Sequence, residues 1–257
     1  AVRYHGTAMP NVGGTVSPLP SVVSSAPGRI GQAIQFAGIT GGDSAERRVD
    51  YGNVANHGTG GYTVSFWFNP EVTSGTQFVA SKGNAGSTSD GWSVWLNGTS
   101  VIVRGKHDSA SANRVQLSKG GLVEDNWHHV TLVIDDTVGD GQQGVLVAYL
   151  DGVGSFDYGT ETLVTGWTQA FDGYKFPDGA SFATSTSLRL GARATTGAEF
   201  QGMIDDFAIW NRALSAAEIA TIYQMGLQGL TPIPEPASAM LVLLGLLAIT
   251  LLPRRSR

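Results

Sequence analysis

Two pairs of adjacent residues and one aromatic cluster mark where this sequence could do chemistry. His128-His129 in WHHVTLVID offers imidazoles, and Asp205-Asp206 in GMIDDFAIW offers carboxylates. Both segments read as strand, where neighbouring side chains leave on opposite faces, so neither pair converges on a single site. A retaining glycoside hydrolase needs two carboxyl groups about 5 Å apart. Glu46, Glu71, Glu124, Glu161, Glu199 and Glu218 are isolated from one another. The many serines lack the strand-to-helix elbow that presents a nucleophile to a base. The expectation is a chain that is not an enzyme. The aromatic cluster is Trp167, Phe171, Tyr174 and Phe176 in GWTQAFDGYKFPDGASF, a long connection without strand alternation. Ring faces pack on the C–H faces of pyranoses, so these four are the candidate ligand-binding residues. The same rings could instead fold down over an open end of the domain.

The elements that must position such residues follow from composition and periodicity. The chain has 257 residues, 35 of them Gly, with 14% charged residues, which favours many tight turns between short strands over helices laced with ion pairs. A formal charge of −5 leaves no basic face to neutralise phosphates and argues against a nucleic-acid partner. The lack of cysteine removes disulfides and thiolate metal sites together. In YTVSFWFNP, Val64, Phe66 and Phe68 share one face, and Thr63, Ser65 and Trp67 the other. GWSVWLNGTSVIVRG reads as a hairpin turning at Asn97-Gly98, with Trp92 and Trp95 on opposite faces, so at least one of them can lie outside the main core. Further strands are expected in WHHVTLVID, GVLVAYLDG, TSLRLGAR and GMIDDFAIW. One helix is expected in LSAAEIATIYQMG. Ser215 and Glu218 form its capping box, Ile219, Ile222 and Met225 share a face, and Gly226 stands where it would stop. Many strands and one terminal helix, packed on the outside or the edge, predict an all-β, two-sheet antiparallel sandwich of jelly-roll type.

The blocks IGQAIQFAG, YTVSFWFNP, NWHHVTLVID, VLVAYLDG and GMIDDFAIWNRALSAAEI occur in an order that resembles the LamG-like, concanavalin A-like lectin/glucanase jelly-roll domains. The resemblance implies a domain over residues 30–230, after an arm or first strand over residues 1–29. It implies a packing role for the His128-His129 block, and it lacks the Glu-x-Asp-x-Glu pattern of the glucanases of this fold. Many such modules hold calcium. Here the resemblance points to Asp205 and Asp206, with Asp43 in the loop GITGGDSAE as a partner, although the family's Phe-Asp-Gly stands as Phe36-Ala37-Gly38. Two solvated aspartates that discourage edge-to-edge pairing are the alternative.

The C-terminus follows a different pattern. Residues 237–252 carry no charge, and as a helix they would run roughly 24 Å, short of a hydrocarbon core of about 30 Å but able to span it with snorkelling arginines. Pro234-Glu235-Pro236, the apolar run and a terminal cluster with Arg254 and Arg255 resemble a PEP-CTERM sorting signal. That resemblance implies a linker at 231–236, a transmembrane sorting segment with a basic tail at 237–257, an exosortase-type processing enzyme as partner, and delivery to the cell surface or extracellular matrix. The sequence begins at Ala1 without Met and without a charged-then-apolar leader, so either an export signal has been removed, which is the favoured expectation, or the sequence is a fragment. The expected function is a non-catalytic recognition module for glycan or protein in an exopolysaccharide matrix. The alternative is a structural protein that assembles with its own copies, and a glycoside hydrolase is a third class.

Overall fold

A computed structural model describes residues 2–4, 23–37, 48–83, 90–108, 113–136, 138, 143–193 and 198–231. The strands are β1 (Val2–Tyr4), β2 (Val23–Pro27), β3 (Gln32–Ala37), β4 (Val49–Asp50), β5 (Tyr62–Pro70), β6 (Thr76–Gly83), β7 (Gly91–Asn97), β8 (Ser100–Lys106) and β9 (Arg114–Gly120). They continue as β10 (His128–Asp135), β11 (Gln143–Leu150), β12 (Val153–Gly154), β13 (Phe156–Asp157), β14 (Thr162–Leu163), β15 (Thr168–Phe171), β16 (Lys175–Pro177), β17 (Leu188–Leu190) and β18 (Gln201–Trp210), followed by helix α1 (Ala216–Leu227). The first sheet runs β12-β11-β10-β5-β18-β3-β2, with β1 on β18 and β16 on β11. The second runs β15-β9-β8-β7-β6-β17-β4, and β13 and β14 form a small hairpin of their own. All of these strand pairings are antiparallel, which gives the expected two-layer sandwich.

Side-chain alternation builds the interior. Val64, Phe66 and Phe68 of β5 and Val130, Leu132 and Ile134 of β10 meet Trp92, Val94 and Leu96 of β7 and Val101 and Val103 of β8 across the gap. Burying one such side chain stabilises the fold by about 1.5–3 kcal/mol, against about 0–1 kcal/mol for an exposed ion pair, so packing holds the sandwich and charges only trim it. Residues 1–29 contribute β1 and β2, which pair with β18 and β3 of the same chain.

Turns differ slightly from the sequence expectation. Asn97 still pairs with Ser100, so the β7–β8 turn sits on Gly98 and Thr99, with Gly98 at φ 57° in the left-handed region. Between β11 and β12, Asp151 and Gly152 both have positive φ, as a two-residue primed turn requires.

The other face of the first sheet is also covered. Val133, Val147, Tyr149 and Trp210 pack with Ile219 and Ile222 of α1 in a second apolar cluster. The helix starts as read, with the Ser215–Glu218 capping box in place, but it does not stop at Gly226. It runs through Gly226 to Leu227. Gly229 (φ 69°) ends it, Leu230 N donating to Met225 O and Gly229 N to Gly226 O, the Schellman arrangement. Arg29 closes the same end by donating to the carbonyls of Gly226 and Leu227. Among the described residues no helix is long and apolar enough to cross a membrane. The segment read as a sorting signal, with Pro234, Glu235, Pro236, Arg254 and Arg255, lies outside the described residues, as does Asp43.

Candidate functional site

The structure separates the four aromatic candidates. Trp167 and Phe176 are buried in the main core, 4% and 2% exposed, so neither ring faces a ligand. The reason is that their segment is not a free loop. Strand β15 pairs with β9 and β16 with β11, and Phe176 fills the space beside Gly144, where a Cβ would lie 2.2 Å from its ring. Tyr174 is half-buried against Phe156, at 5.6 Å between ring centroids. Phe171 is the one exposed ring of the four, at 58%, presented by a left-handed backbone at φ 59°.

Asp205 and Asp206 are buried rather than solvated, at 4% and 8% exposure. Ile30 N donates to Asp205 Oδ2 at 2.7 Å, and Asp206 N donates to Asp205 Oδ1 at 2.8 Å, so the Asp205 carboxylate organises backbone. Asp206, at φ 46°, lies where the β18–β5 register shifts between Asp205 and Ala208. A strand bulge, rather than edge protection, is what this acidic pair marks. No group of three or more His, Asp or Glu residues gathers around a possible metal position among the described residues.

The histidines do diverge. Val123 N donates to His128 Nε2 at 3.0 Å, which leaves Nδ1 to donate to Asp151 Oδ2 at 2.7 Å. His129 instead lies under α1, between Trp67 and Tyr223, with Nε2 2.8 Å from Ser65 Oγ. Thr131 donates its hydroxyl to the same Ser65 Oγ, and the other ring nitrogen of His129 is Nδ1. That atom has no partner, because Asp151 accepts from the backbone N of His129 and not from its ring. A serine, a histidine and an aspartate are thus close together but do not form a relay. Burial holds His129 down at about pKa 4, Asp151 pulling weakly the other way.

What the structure assembles is on the outer face of the second sheet, the side pointing away from the core. In register across β6, β7, β8 and β9 this face carries Phe78, Trp95, Ile102 and Ser118, and one step along it Ser93, Arg104 and Gln116. Phe78, Trp95 and Ile102 form a small apolar cluster apart from the core. Over it runs a ladder of guanidinium groups and aromatic rings. Arg193 lies 5.0 Å from the Phe78 ring, Phe78 stacks on Trp95 at 5.4 Å, and Arg104 lies 4.5 Å from Trp95. Phe171 then takes Arg104 at 4.8 Å and Arg114 at 5.3 Å. Gln116 Oε1 fixes Arg104 by accepting from Nε at 2.7 Å and also from Nη2. Burial, with the Arg114 charge beside it, pushes the Arg104 guanidinium down to about 10. Cation–aromatic contacts of this kind contribute about 0.5–2 kcal/mol each, enough together to hold the side chains in place before any ligand arrives.

Of the ladder, sequence reasoning reached Phe171 through the aromatic cluster and Trp95 through its place opposite Trp92. It missed Phe78, Arg104, Arg114 and Arg193. The signal was present for Arg104, since Val101 and Val103 face inward and the same alternation sends Ile102 and Arg104 outward.

Comparison with known proteins agrees with this architecture. A laminin G-type family model, described as the Concanavalin A-like lectin/glucanases superfamily, matches residues 43–220. The adhesion G-protein coupled receptor V1 of Danio rerio is 24% identical over 166 residues, which cover 63% of this chain and 2% of the receptor. The binding domain of Paraclostridial Mosquitocidal Protein 1 superposes with a TM-score of 0.53 at 13% identity, over 80% of this chain and 46% of that one. A botulinum neurotoxin type C structure, described as interacting with two ganglioside molecules, superposes with a TM-score of 0.52 at 14% identity, over 80% and 46%. At such identities the two toxin structures share the fold. The chain spans less than half of each toxin chain and a small part of the receptor.

Proposed function

The chain belongs to the Concanavalin A-like lectin/glucanases superfamily, and from that premise we propose that it is a non-catalytic recognition module acting outside the cell, with glycan or surface protein as its ligand. The observation that carries the reading is the arginine–aromatic ladder, which ends in an exposed ring. Exposed aromatic surface beside Arg, Gln, Ser and Thr side chains is the chemistry that grips sugar: ring faces for C–H groups and polar edges for hydroxyls. Gln116, Ser118 and Thr168 supply such polar groups beside the ladder, Ser118 Oγ lying 2.6 Å from Thr168 Oγ1. The rungs include no carboxylate, and the buried Ser65–His129 contact is closed off under α1, which supports binding over catalysis. The ganglioside-binding toxin of the same fold supports a glycan ligand, and the resemblance of residues 234–257 to a sorting signal supports surface delivery through an exosortase, with the terminal segment as membrane tether. Recognition is preferred over self-assembly because β1 and β2 pair within their own chain.

The test is a glycan array probed with the full chain and with Phe171→Ala. Wild-type protein should bind a defined subset of glycans, and the variant should bind them about fivefold more weakly, as the loss of one ring contact of about 1 kcal/mol predicts. A wild-type chain silent on the array that sediments as a multimer would move the assignment to a structural protein.

A further inference from the structure

The ladder gathers three cations, and the carboxylate beside it, Asp172, accepts from the backbone N of Arg114 at 2.9 Å. Arg104 and Arg114 share the same ring, Phe171, and Arg193 is the third cation along the row. Neither Arg114 nor Arg193 is in an ion pair with a carboxylate of the described residues. Nε of Arg114 and Nε of Arg193 are shielded from solvent and have no hydrogen-bond acceptor. Crowded like charges cost free energy in the unliganded protein, and an anion that accepts from these partly exposed guanidinium groups would recover it. The chain as a whole carries −5, so this cationic row is a local feature and not the edge of a generally basic surface.

We propose that the outer face of the second sheet is a track for an acidic polysaccharide, with guanidinium rungs taking the carboxylate or sulfate groups along its chain and Phe171 packing on a sugar ring. This rests on the recognition reading above and specifies its ligand class. The dimensions suit a polymer. From β6 to β15 the row crosses five neighbouring strands, roughly 20 Å at the usual strand spacing, which spans several consecutive sugars. Cations and rings are interspersed along that length, which suits a ligand that carries both charged groups and C–H faces. Half-burial of the rungs lowers the local dielectric and strengthens each charge-assisted contact relative to one in water.

The experiment measures binding of the full chain to immobilised polygalacturonate, dextran sulfate and neutral dextran over a range of NaCl. Wild-type protein should hold one or both acidic polymers about 10-fold or more tightly than dextran, with affinity falling as salt rises. The carboxylated and sulfated arms identify which anion the rungs prefer. Arg114→Gln and Arg193→Gln should each lose about fivefold or more, and Arg114→Lys, which keeps the charge and the fold, should lose less. Lys175→Gln, the same charge change on the first sheet, should lose nothing. If neutral dextran or neutral array glycans bind as well as the acidic polymers and the arginine variants match wild type, the acidic-ligand inference is overturned while the recognition reading survives. If no glycan of either kind binds, the acidic-ligand inference and the glycan form of the recognition reading fall together. If an acidic protein or a single-stranded oligonucleotide displaces the polymers with higher affinity, the track belongs to another class of macromolecule and the inference is wrong.

Discussion

His129 decides whether the histidine pair does chemistry or packing. Only 1% of it is exposed, its Nε2 is occupied by Ser65, and burial holds its pKa at about 4 instead of 6.5. So weak and enclosed a base does not reach a substrate proton, but it does couple stability to pH. The folded protein keeps His129 neutral, whereas the unfolded chain takes up a proton below about pH 6.5. Its contribution is therefore complete above that value and is lost as pH falls toward about 4. The shift corresponds to roughly 3 kcal/mol. His57, also lowered by burial, acts in the same direction, while Glu218, held near 2 chiefly by its hydrogen bonds with Arg212, matters only in more acidic solution. The urea midpoint is expected to drop between about pH 7 and about pH 5, and His129→Gln to flatten most of that drop. A wild-type midpoint that stays level over this range would mean that the ring is charged in the fold. Residue identity alone did not reveal this environment, because WHHV reads the same whether the outer face of β10 meets water or a helix.

Helix α1 supplies that cover, and Gly226 sets how closely it lies on the sheet. A Cβ there would sit 2.4–2.6 Å from Trp67 ring atoms, and Trp67 is itself held between Tyr223, His129 and Arg29. Alanine favours a helix interior over glycine by about 1 kcal/mol, yet overpacking against a ring that cannot retreat costs about 1–3 kcal/mol, so Gly226→Ala should lower the denaturation midpoint. A raised midpoint would show that Trp67 yields. Elements of this kind were the legible part of the sequence: the β5 alternation, the Trp92/Trp95 division, the Ser215–Glu218 start of α1 and the two-sheet architecture all follow from local period and capping. Elements defined by what lies across from them were not legible. Gly226 read as a helix stop because a glycine demanded by a neighbouring indole has the same letter as one demanded by backbone conformation. Trp167 and Phe176 read as loop because β15 and β16 are too short to show alternation and owe their burial to β9, β11 and Gly144. The arginine ladder draws on five strands and a loop, and no local window contains it.

Across the whole molecule the first and last strands of the described chain meet. Strand β1 lies along β18, Val2 opposite Ile209 and Tyr4 opposite Phe207, and takes over the β18 edge beyond the four residues that β3 pairs. With no cysteine in the chain, this closure is made by antiparallel strand pairing. Removing residues 1–4 would bare a stretch of β18 whose side chains, Phe207, Ala208 and Ile209, are 2–7% exposed in the intact fold. Two effects should follow. The lost ladder bonds, at about 1 kcal/mol each, lower the thermal midpoint, and the uncovered edge offers itself to the same edge of another copy. A variant beginning at His5 should therefore melt earlier and show concentration-dependent association by light scattering, while the intact chain at equal concentration does not. If both proteins are equally stable and equally monomeric, β1 contributes nothing to closing the sheet. If the intact chain associates as strongly as the trimmed one, the fold's own edges are already in use between copies, and the self-assembling alternative gains over the recognition module.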